Sequence, residues 1–255
     1  MAMKKISGRS SLWLDKPSPY CPGCGHGIVH RLICELIEEF KLADDCVFMA
    51  PVGCSILAYT FLDLDICQPA HGRTPAAATG IKRVRPDTFV LSYQGDGDLA
   101  AIGTAEIVHA ANRGENFTTV FVNNAIYGMT GGQMAPTTLS GQKTATCPTG
   151  RDPAAGMGYP IRICELLQSL GGVTYLARTS VHNPANVIRT KRALKKAFEV
   201  QLGRKGFSLV EVLSPCPVNW GMQPVEALGF VQKSMIPYYR LGEYKVNGVI
   251  VSPAA

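Results

Sequence analysis

The chain has 255 residues, 46% of them apolar and only 17% charged, which excludes a disordered polypeptide and is enough to bury a core. No apolar run approaches the roughly 18 residues of a membrane span, and residues 1–16 are polar and basic without a signal-like apolar stretch; a cytoplasmic globular protein with no membrane span is expected. A net charge of +6 tolerates an acidic partner but is too small and scattered to indicate nucleic acid.

Short β-branched runs alternate with helical patterns along the chain. Strands are predicted at residues 46–52, 88–93, 118–123, 173–177 and 207–213, each bounded by Gly, Pro, Asp or Asn. Helices are predicted at 26–40, 75–84, 100–113, 161–169 and 184–202. Phe89-Val90-Leu91 and Val120-Phe121-Val122 are continuously apolar, as strands covered on both faces are. The expected fold is therefore α/β, a doubly wound and mainly parallel sheet, with ligands at the C-terminal ends of its strands. Residues 130–159 are rich in Gly, Pro and Thr and lack a period, so they read as a long functional loop. The Pro-rich stretch from 214 onward reads as a tail that wraps the domain or reaches a partner.

Ser92-Tyr93-Gln94-Gly95-Asp96-Gly97-Asp98 closes one predicted strand, and Val122-Asn123-Asn124-Ala125-Ile126 closes the next, about one helix later. Adjacent strand ends of a βαβ unit lie side by side, so Asp96 and Asn124 can converge on one cation. Gly95 and Gly97 allow a tight turn and let backbone N–H groups approach a diphosphate. A carboxylate, an amide oxygen, a backbone carbonyl and two phosphate oxygens would complete octahedral Mg²⁺. Gly-Asp-Gly alone often means only a strand-ending turn; paired with Asn-Asn in this context it resembles the thiamine-diphosphate motif. That resemblance implies Mg²⁺ held by Asp96, Asn124 and the carbonyl of Ile126, with Gly95, Gly97 and Asp98 beside the cofactor.

Nine cysteines in a chain with no signal point to a metal or redox site plus several core thiols. Cys21-Pro22-Gly23-Cys24 is a CxxC in a Gly/Pro loop before a helix, and Cys54 and Cys216 lie in loops just past predicted strands. Four such thiolates could hold Zn²⁺ or a [4Fe–4S] cluster, and spacing does not choose between them. Cys34 and Cys164 fall inside helical patterns and read as core thiols; Cys46, Cys67 and Cys147 are open, with burial favoured.

The motifs CPGCGHG, VGCS, GDGD, NNAIYGMTGGQ and SPCP, in this order over residues 21–222, resemble the β subunit of 2-oxoacid:ferredoxin oxidoreductases. The resemblance implies that Cys21, Cys24, Cys54 and Cys216 ligate one [4Fe–4S] cluster close to thiamine diphosphate. It implies a division into a CxxC segment at 1–25, a thiamine-diphosphate/Mg-binding α/β domain at 26–215, and a tail at 216–255 that carries the last cluster cysteine. The activity implied is coenzyme A-dependent oxidative decarboxylation of a 2-oxoacid to acyl-CoA and CO₂, with electrons leaving through the cluster to ferredoxin. The carboxylate that activates the aminopyrimidine is then expected from the pyrimidine-binding domain of an α subunit, with or without further γ and δ subunits, so no catalytic residue is assigned to this chain.

His71-Gly72-Arg73 resembles a segment near the cofactor, where the Arg73 guanidinium could meet phosphate or carboxylate, or else merely bridge the surface. His26 either sits by the cluster or caps its helix. Tyr127, Gly128, Met129 and Thr130 resemble the loop bordering the diphosphate and the substrate. Relatives using 2-oxoglutarate often resemble T-K-G-Q there; Gly131 replaces that lysine, which favours a branched-chain 2-oxoacid, then an aromatic one, then 2-oxoglutarate or pyruvate. The basic residues of 189–205 read as a solvated face or as a dock for an acidic electron carrier. A cluster-free thiamine decarboxylase, needing no loop cysteines, and a non-catalytic iron–sulfur or zinc subunit, needing neither Asp96 nor Asn124, are the readings from other classes.

Overall fold

A computed structural model of the chain describes residues 8–251. One eight-stranded sheet has the order β2-β1-β3-β4-β6-β5-β7-β8. Its strands are β1 (Cys46–Met49), β2 (Asp65–Cys67), β3 (Phe89–Gly95), β4 (Thr118–Asn123), β5 (Val173–Ser180), β6 (Phe207–Leu213), β7 (Gly242–Val246) and β8 (Val249–Ile250). β1 to β6 pair in parallel, whereas β7 adds antiparallel to β5 and β8 to β7. Helices α1 (His26–Glu39) and α5 (Pro184–Leu202) share one side of the sheet. On the other, α2 (Thr74–Val84), α3 (Thr104–Arg113) and α4 (Ile163–Leu167) bury a second core against Val90, Phe121 and Leu209. Every residue of β4 and β6 is buried, the consequence of helices on both faces.

The doubly wound sheet expected from the sequence forms, with differences at its edges. β1 stops at Met49, three residues early, because Pro51 cannot donate to a ladder. A wide π turn over Asp98–Ile102 takes the place of the predicted first turn of α3 and folds the Asp98 carboxylate back into the protein. The stretch after 214 is neither extended nor detached. It forms α6 (Pro217–Trp220), α7 (Pro224–Phe230) and α8 (Ile236–Tyr238), then returns as β7 with Tyr244 buried in the second core.

Two buried arginines organise what composition left shapeless. Arg151, 6% exposed, donates to the carbonyls of Ala135, Pro136, Thr138, Met157, Gly158 and Tyr159 at 2.7–3.3 Å, and so folds the 130–159 loop around one guanidinium. Arg151→Met orphans these acceptors and is expected to cost about 3–5 kcal/mol in urea unfolding, with Arg151→Lys recovering less than half because an ammonium lacks the planar fork. A loss below about 1 kcal/mol would contradict this assignment. Arg178 on β5 is fully buried and bonds Glu211 on β6 at 2.8 Å and Glu165 on α4 at 2.6 Å. Glu211 in turn accepts from the Asn123 amide at 2.7 Å, which fixes the end of β4.

Candidate functional site

The loops leaving β1, β3 and β4 open onto a cavity of about 300 Å³ at the C-terminal edge of the sheet, where β1 has β2 on one side and β3 on the other. Gly95, Asp96, Gly97, Asp98, Asn124, Ile126, Tyr127, Gly128, Met129 and Thr130 all line it. Asp96 is 3% exposed; its Oδ1 accepts the Asn124 backbone N–H at 3.1 Å, and its Oδ2 accepts the Thr137 hydroxyl from the long loop. Burial pushes its carboxyl up to about 7, which a bound divalent cation would reverse.

The Asn124 side chain bears directly on whether a cation fits here. One of its two amide heteroatoms lies 2.6 Å from the Ile126 carbonyl oxygen and 3.3 Å from Asp96 Oδ1. Turned with its NH₂ inward, the amide bridges two acceptors. Turned with its oxygen inward, three oxygens face one point, an arrangement that a hard cation makes favourable. The donor set is thus the one that Mg²⁺ takes. Gly95 and Gly97 leave the approach open: a Cβ at Gly95 would meet nothing within 4 Å, and one at Gly97 would press on the Tyr127 ring at 3.3 Å.

Asp98 behaves differently from Asp96. It is 1% exposed and accepts from His71 Nδ1 at 2.7 Å, Gly72 N at 2.6 Å, Thr74 Oγ1 at 3.1 Å and Gln94 Nε2 at 2.6 Å. With four donors it is a tether for the 71–74 loop. Of that loop it is His71 that lines the cavity; Arg73 does not, and its guanidinium pairs with Glu106 on α3. Among the described residues no lysine, arginine or glutamate lines the cavity; of its two carboxylates, Asp98 is committed to four donors, whereas Asp96 accepts from the Asn124 N–H and the Thr137 hydroxyl.

A second cavity of about 250 Å³ is lined by Cys21, Cys24, Cys54 and Cys216, and it shares His26, Cys54, Asn124, Gly128 and Met129 with the first. A Cβ placed on Gly128 would lie 3.5 Å from both Cys54 Sγ and Cys216 Sγ. Burial pushes the Cys24 thiol up to about 12 and the Cys54 thiol up to about 11, so metal binding here must displace protons. Opposing this, the His26 backbone N–H at the start of α1 faces the Cys24 sulfur. Among the described residues no three His, Cys, Asp or Glu side chains stand close enough to hold a single ion. Cys34, Cys46, Cys147 and Cys164 are buried, and Cys67 is half-buried.

His26 does not cap α1, since Gly25 holds that position. Its Nδ1 lies 2.6 Å from the Tyr93 hydroxyl, and its ring stacks on Tyr20 at 4.8 Å. Tyr20 in turn contacts His30 Nε2 at 2.9 Å and donates to the Cys54 carbonyl at 3.1 Å. Burial lowers His26 to about 4 and His30 well below its usual value, so both are neutral when folded and protonate on unfolding in acid. The unfolded chain then binds more protons below pH about 6.5, and each histidine's contribution, complete above that pH, is lost as pH falls, by at most about 1.4 kcal/mol per unit. Asp96, protonated in the metal-free fold below about 7, slopes the opposite way. His30→Asn is therefore expected to flatten the acid limb relative to wild type in urea titrations between about pH 6.5 and 5; identical slopes would contradict a buried neutral His30.

The basic residues of 189–205 are mostly spoken for. Lys191 pairs with Glu35 at 2.8 Å, Lys196 with Glu243 at 2.6 Å, Lys195 with Glu39 and Arg204 with Asp87. Arg189, Arg192 and Lys205 have no carboxylate partner among the described residues. A groove of about 820 Å³ between α1 and α5 is rimmed by the Lys191–Glu35 and Lys195–Glu39 pairs and shares no lining residue with either cavity.

Sequence reasoning missed Thr137, Arg151, Asn219 and the Arg178–Glu211 pair. The last carried a signal, because one charge in each of two apolar strand runs suggests partners, and the two are register neighbours.

Residues 52–212 match the family described as thiamine pyrophosphate enzyme, C-terminal TPP binding domain. The chain is 51% identical over 92% of its length to the ketoisovalerate oxidoreductase subunit VorA of Methanothermobacter thermautotrophicus, but spans only 49% of that relative. It is 36% identical to the 2-oxoglutarate synthase subunit KorB of Methanocaldococcus jannaschii, covering 92% of this chain and 86% of the relative. Among solved structures, a 2-oxoglutarate:ferredoxin oxidoreductase from Magnetococcus marinus, with 2-oxoglutarate, coenzyme A and succinyl-CoA bound, superposes with a TM-score of 0.76 at 28% identity, over 89% of this chain and 73% of that one. With Asp96, Asn124 and Ile126 inside the matched region, the chain belongs to the thiamine-diphosphate-binding subunits of the 2-oxoacid:ferredoxin oxidoreductases.

Proposed function

We propose that the chain is the β subunit of an oxidoreductase that converts a branched-chain 2-oxoacid, with coenzyme A, to acyl-CoA and CO₂ and passes the electrons to ferredoxin through a [4Fe–4S] cluster. The observation that carries this reading is the common wall of the two cavities, where His26, Cys54, Asn124, Gly128 and Met129 face both. Asp96, Asn124 and the Ile126 carbonyl would hold Mg²⁺, with Gly95 and Gly97 leaving room for the diphosphate. Bound there, thiamine diphosphate supplies the electron sink for decarboxylation. Cys21, Cys24, Cys54 and Cys216 would hold the cluster: their arrangement around a cavity, rather than about one point, suits a polynuclear centre better than zinc.

The substrate preference rests on what the wall offers. Val52, Ile102, Ile126 and Met129 are apolar, no lysine or arginine among the described residues lines the cavity to meet a second carboxylate, and Gly131 offers no side chain. The similarity to VorA, a ketoisovalerate oxidoreductase subunit, supports the same choice. The aminopyrimidine carboxylate would come from an α subunit seated on the open mouth, whose rim residues Val52, Ile102 and Met129 are 39–50% exposed. Nine free cysteines suit a reducing compartment, so the cytoplasm is the proposed location.

The test is anaerobic expression with the partner subunit, followed by coenzyme A-dependent reduction of a viologen dye. The account expects the highest kcat/KM with 2-oxoisovalerate, lower values with phenylpyruvate, 2-oxoglutarate and pyruvate, and no turnover by the isolated chain. Turnover by the isolated chain would sink the half-site assignment, and a preference for 2-oxoglutarate would sink the substrate assignment.

A further inference from the structure

One polar side chain that the cofactor and cluster assignments leave unused, Asn219, lines the cysteine cavity and reaches Gly128, which faces both cavities. Asn219, in α6, directs its amide nitrogen to the Gly128 carbonyl oxygen at 3.1 Å and to Cys216 Sγ at 3.5 Å. A primary amide has two N–H groups, so both contacts can be made together. The Asn219 backbone N–H also faces the Cys216 sulfur. On the opposite side, a Cβ at Gly132 would meet the Asn219 side chain at 3.4 Å, so the 128–132 turn rests on this residue. Its neighbour Trp220 donates its indole N–H to the Asn124 carbonyl at 3.1 Å and makes no bond to sulfur. α6 thereby reaches both halves of the site, through adjacent residues with separate partners.

We propose that Asn219 is a positioning residue that links the four-cysteine pocket to the cofactor loop, one N–H on the Cys216 sulfur and the other on the Gly128 carbonyl. The inference rests on the proposed cluster and cofactor assignments and adds a role to a residue outside both. A hydrogen bond to a ligating thiolate favours the reduced, more negative cluster and raises its reduction potential. The second bond fixes Gly128 between Ile126, whose carbonyl faces the cation site, and Met129, on the substrate wall. One amide then sets both how readily the cluster accepts an electron and where the loop stands.

The test uses the anaerobically purified complex with its partner subunit, in wild type, N219A, N219S and W220F. The cluster potential is read by an EPR-monitored redox titration, and thiamine diphosphate affinity by calorimetry with Mg²⁺. N219A is expected to titrate at a lower potential than wild type and to bind the cofactor several-fold more weakly, up to about tenfold, as the loss of one hydrogen bond predicts. N219S keeps one donor and should fall between, which preserves the test should N219A fail to assemble. W220F should weaken cofactor binding and leave the potential at the wild-type value. A wild-type potential in both Asn219 variants would overturn the proposal while the cluster assignment stood. Wild-type protein without iron would overturn the cluster assignment and this inference with it.

Discussion

Asp96→Ala is expected to abolish thiamine diphosphate binding while leaving the iron content and visible absorbance of the cysteine pocket intact. The carboxylate is the one charged oxygen donor in the cradle left for a cation, since the four donors on Asp98 hold that side chain to the 71–74 loop and to Gln94. Without Asp96, the Asn124 amide and Ile126 carbonyl would offer Mg²⁺ only neutral oxygens, and a bound diphosphate would lose the ion that offsets its charge. The cysteines are reached from other elements: the segment before α1, the loop after β1 and the loop after β6. Calorimetry with thiamine diphosphate and Mg²⁺, beside iron analysis of the same sample, reads the two effects separately. Joint loss of iron and cofactor would make Asp96 a structural residue, a reading its bonds to Thr137 and Asn124 make worth testing. Asp96→Asn keeps the shape and should lose the cofactor alone.

Gly128→Ala should have the converse effect on iron. The added Cβ would stand 3.5 Å from Cys54 Sγ, Cys216 Sγ and Asn219 Nδ2, ordinary contact distances that the metal-free chain accommodates without strain. Gly128 is not among the positive-φ residues, so alanine has no backbone objection there. The methyl group nevertheless stands against two of the four sulfurs that the proposed cluster would use. Thermal unfolding of the metal-free variant should match wild type within about 0.5 kcal/mol, whereas iron after anaerobic reconstitution should fall from about four per chain to near zero. Full iron incorporation in a folded Gly128→Ala would place the metal elsewhere.

The two pockets also mark what the sequence makes legible. Asp96 and Asn124 can be read because each follows a strand with a continuously apolar run, Phe89-Val90-Leu91 or Val120-Phe121-Val122, and strand ends of a βαβ unit lie side by side. The four cysteines can be read as loop residues, although only the fold brings Cys21 and Cys216 to one cavity. Arg73 illustrates the limit: the resemblance of His71-Gly72-Arg73 to a segment near the cofactor suggests a phosphate or carboxylate contact, but at the start of α2 its guanidinium pairs with Glu106. Arg151 and Asn219 were invisible because their partners are backbone carbonyls and a sulfur, groups that leave no pattern in side-chain spacing. β7 was missed for a related reason. Gly242-Glu-Tyr-Lys-Val is short and polar, and it becomes a strand only because β5 offers it an edge.

The most direct measurement is metal and cofactor analysis of the anaerobically purified complex, together with its visible spectrum before and after adding 2-oxoisovalerate and coenzyme A. The account predicts about four irons and four sulfides attributable to this subunit, one bound thiamine diphosphate, and a broad absorbance that bleaches with the oxoacid. Thiamine diphosphate bound without iron, or zinc in place of iron, would contradict it.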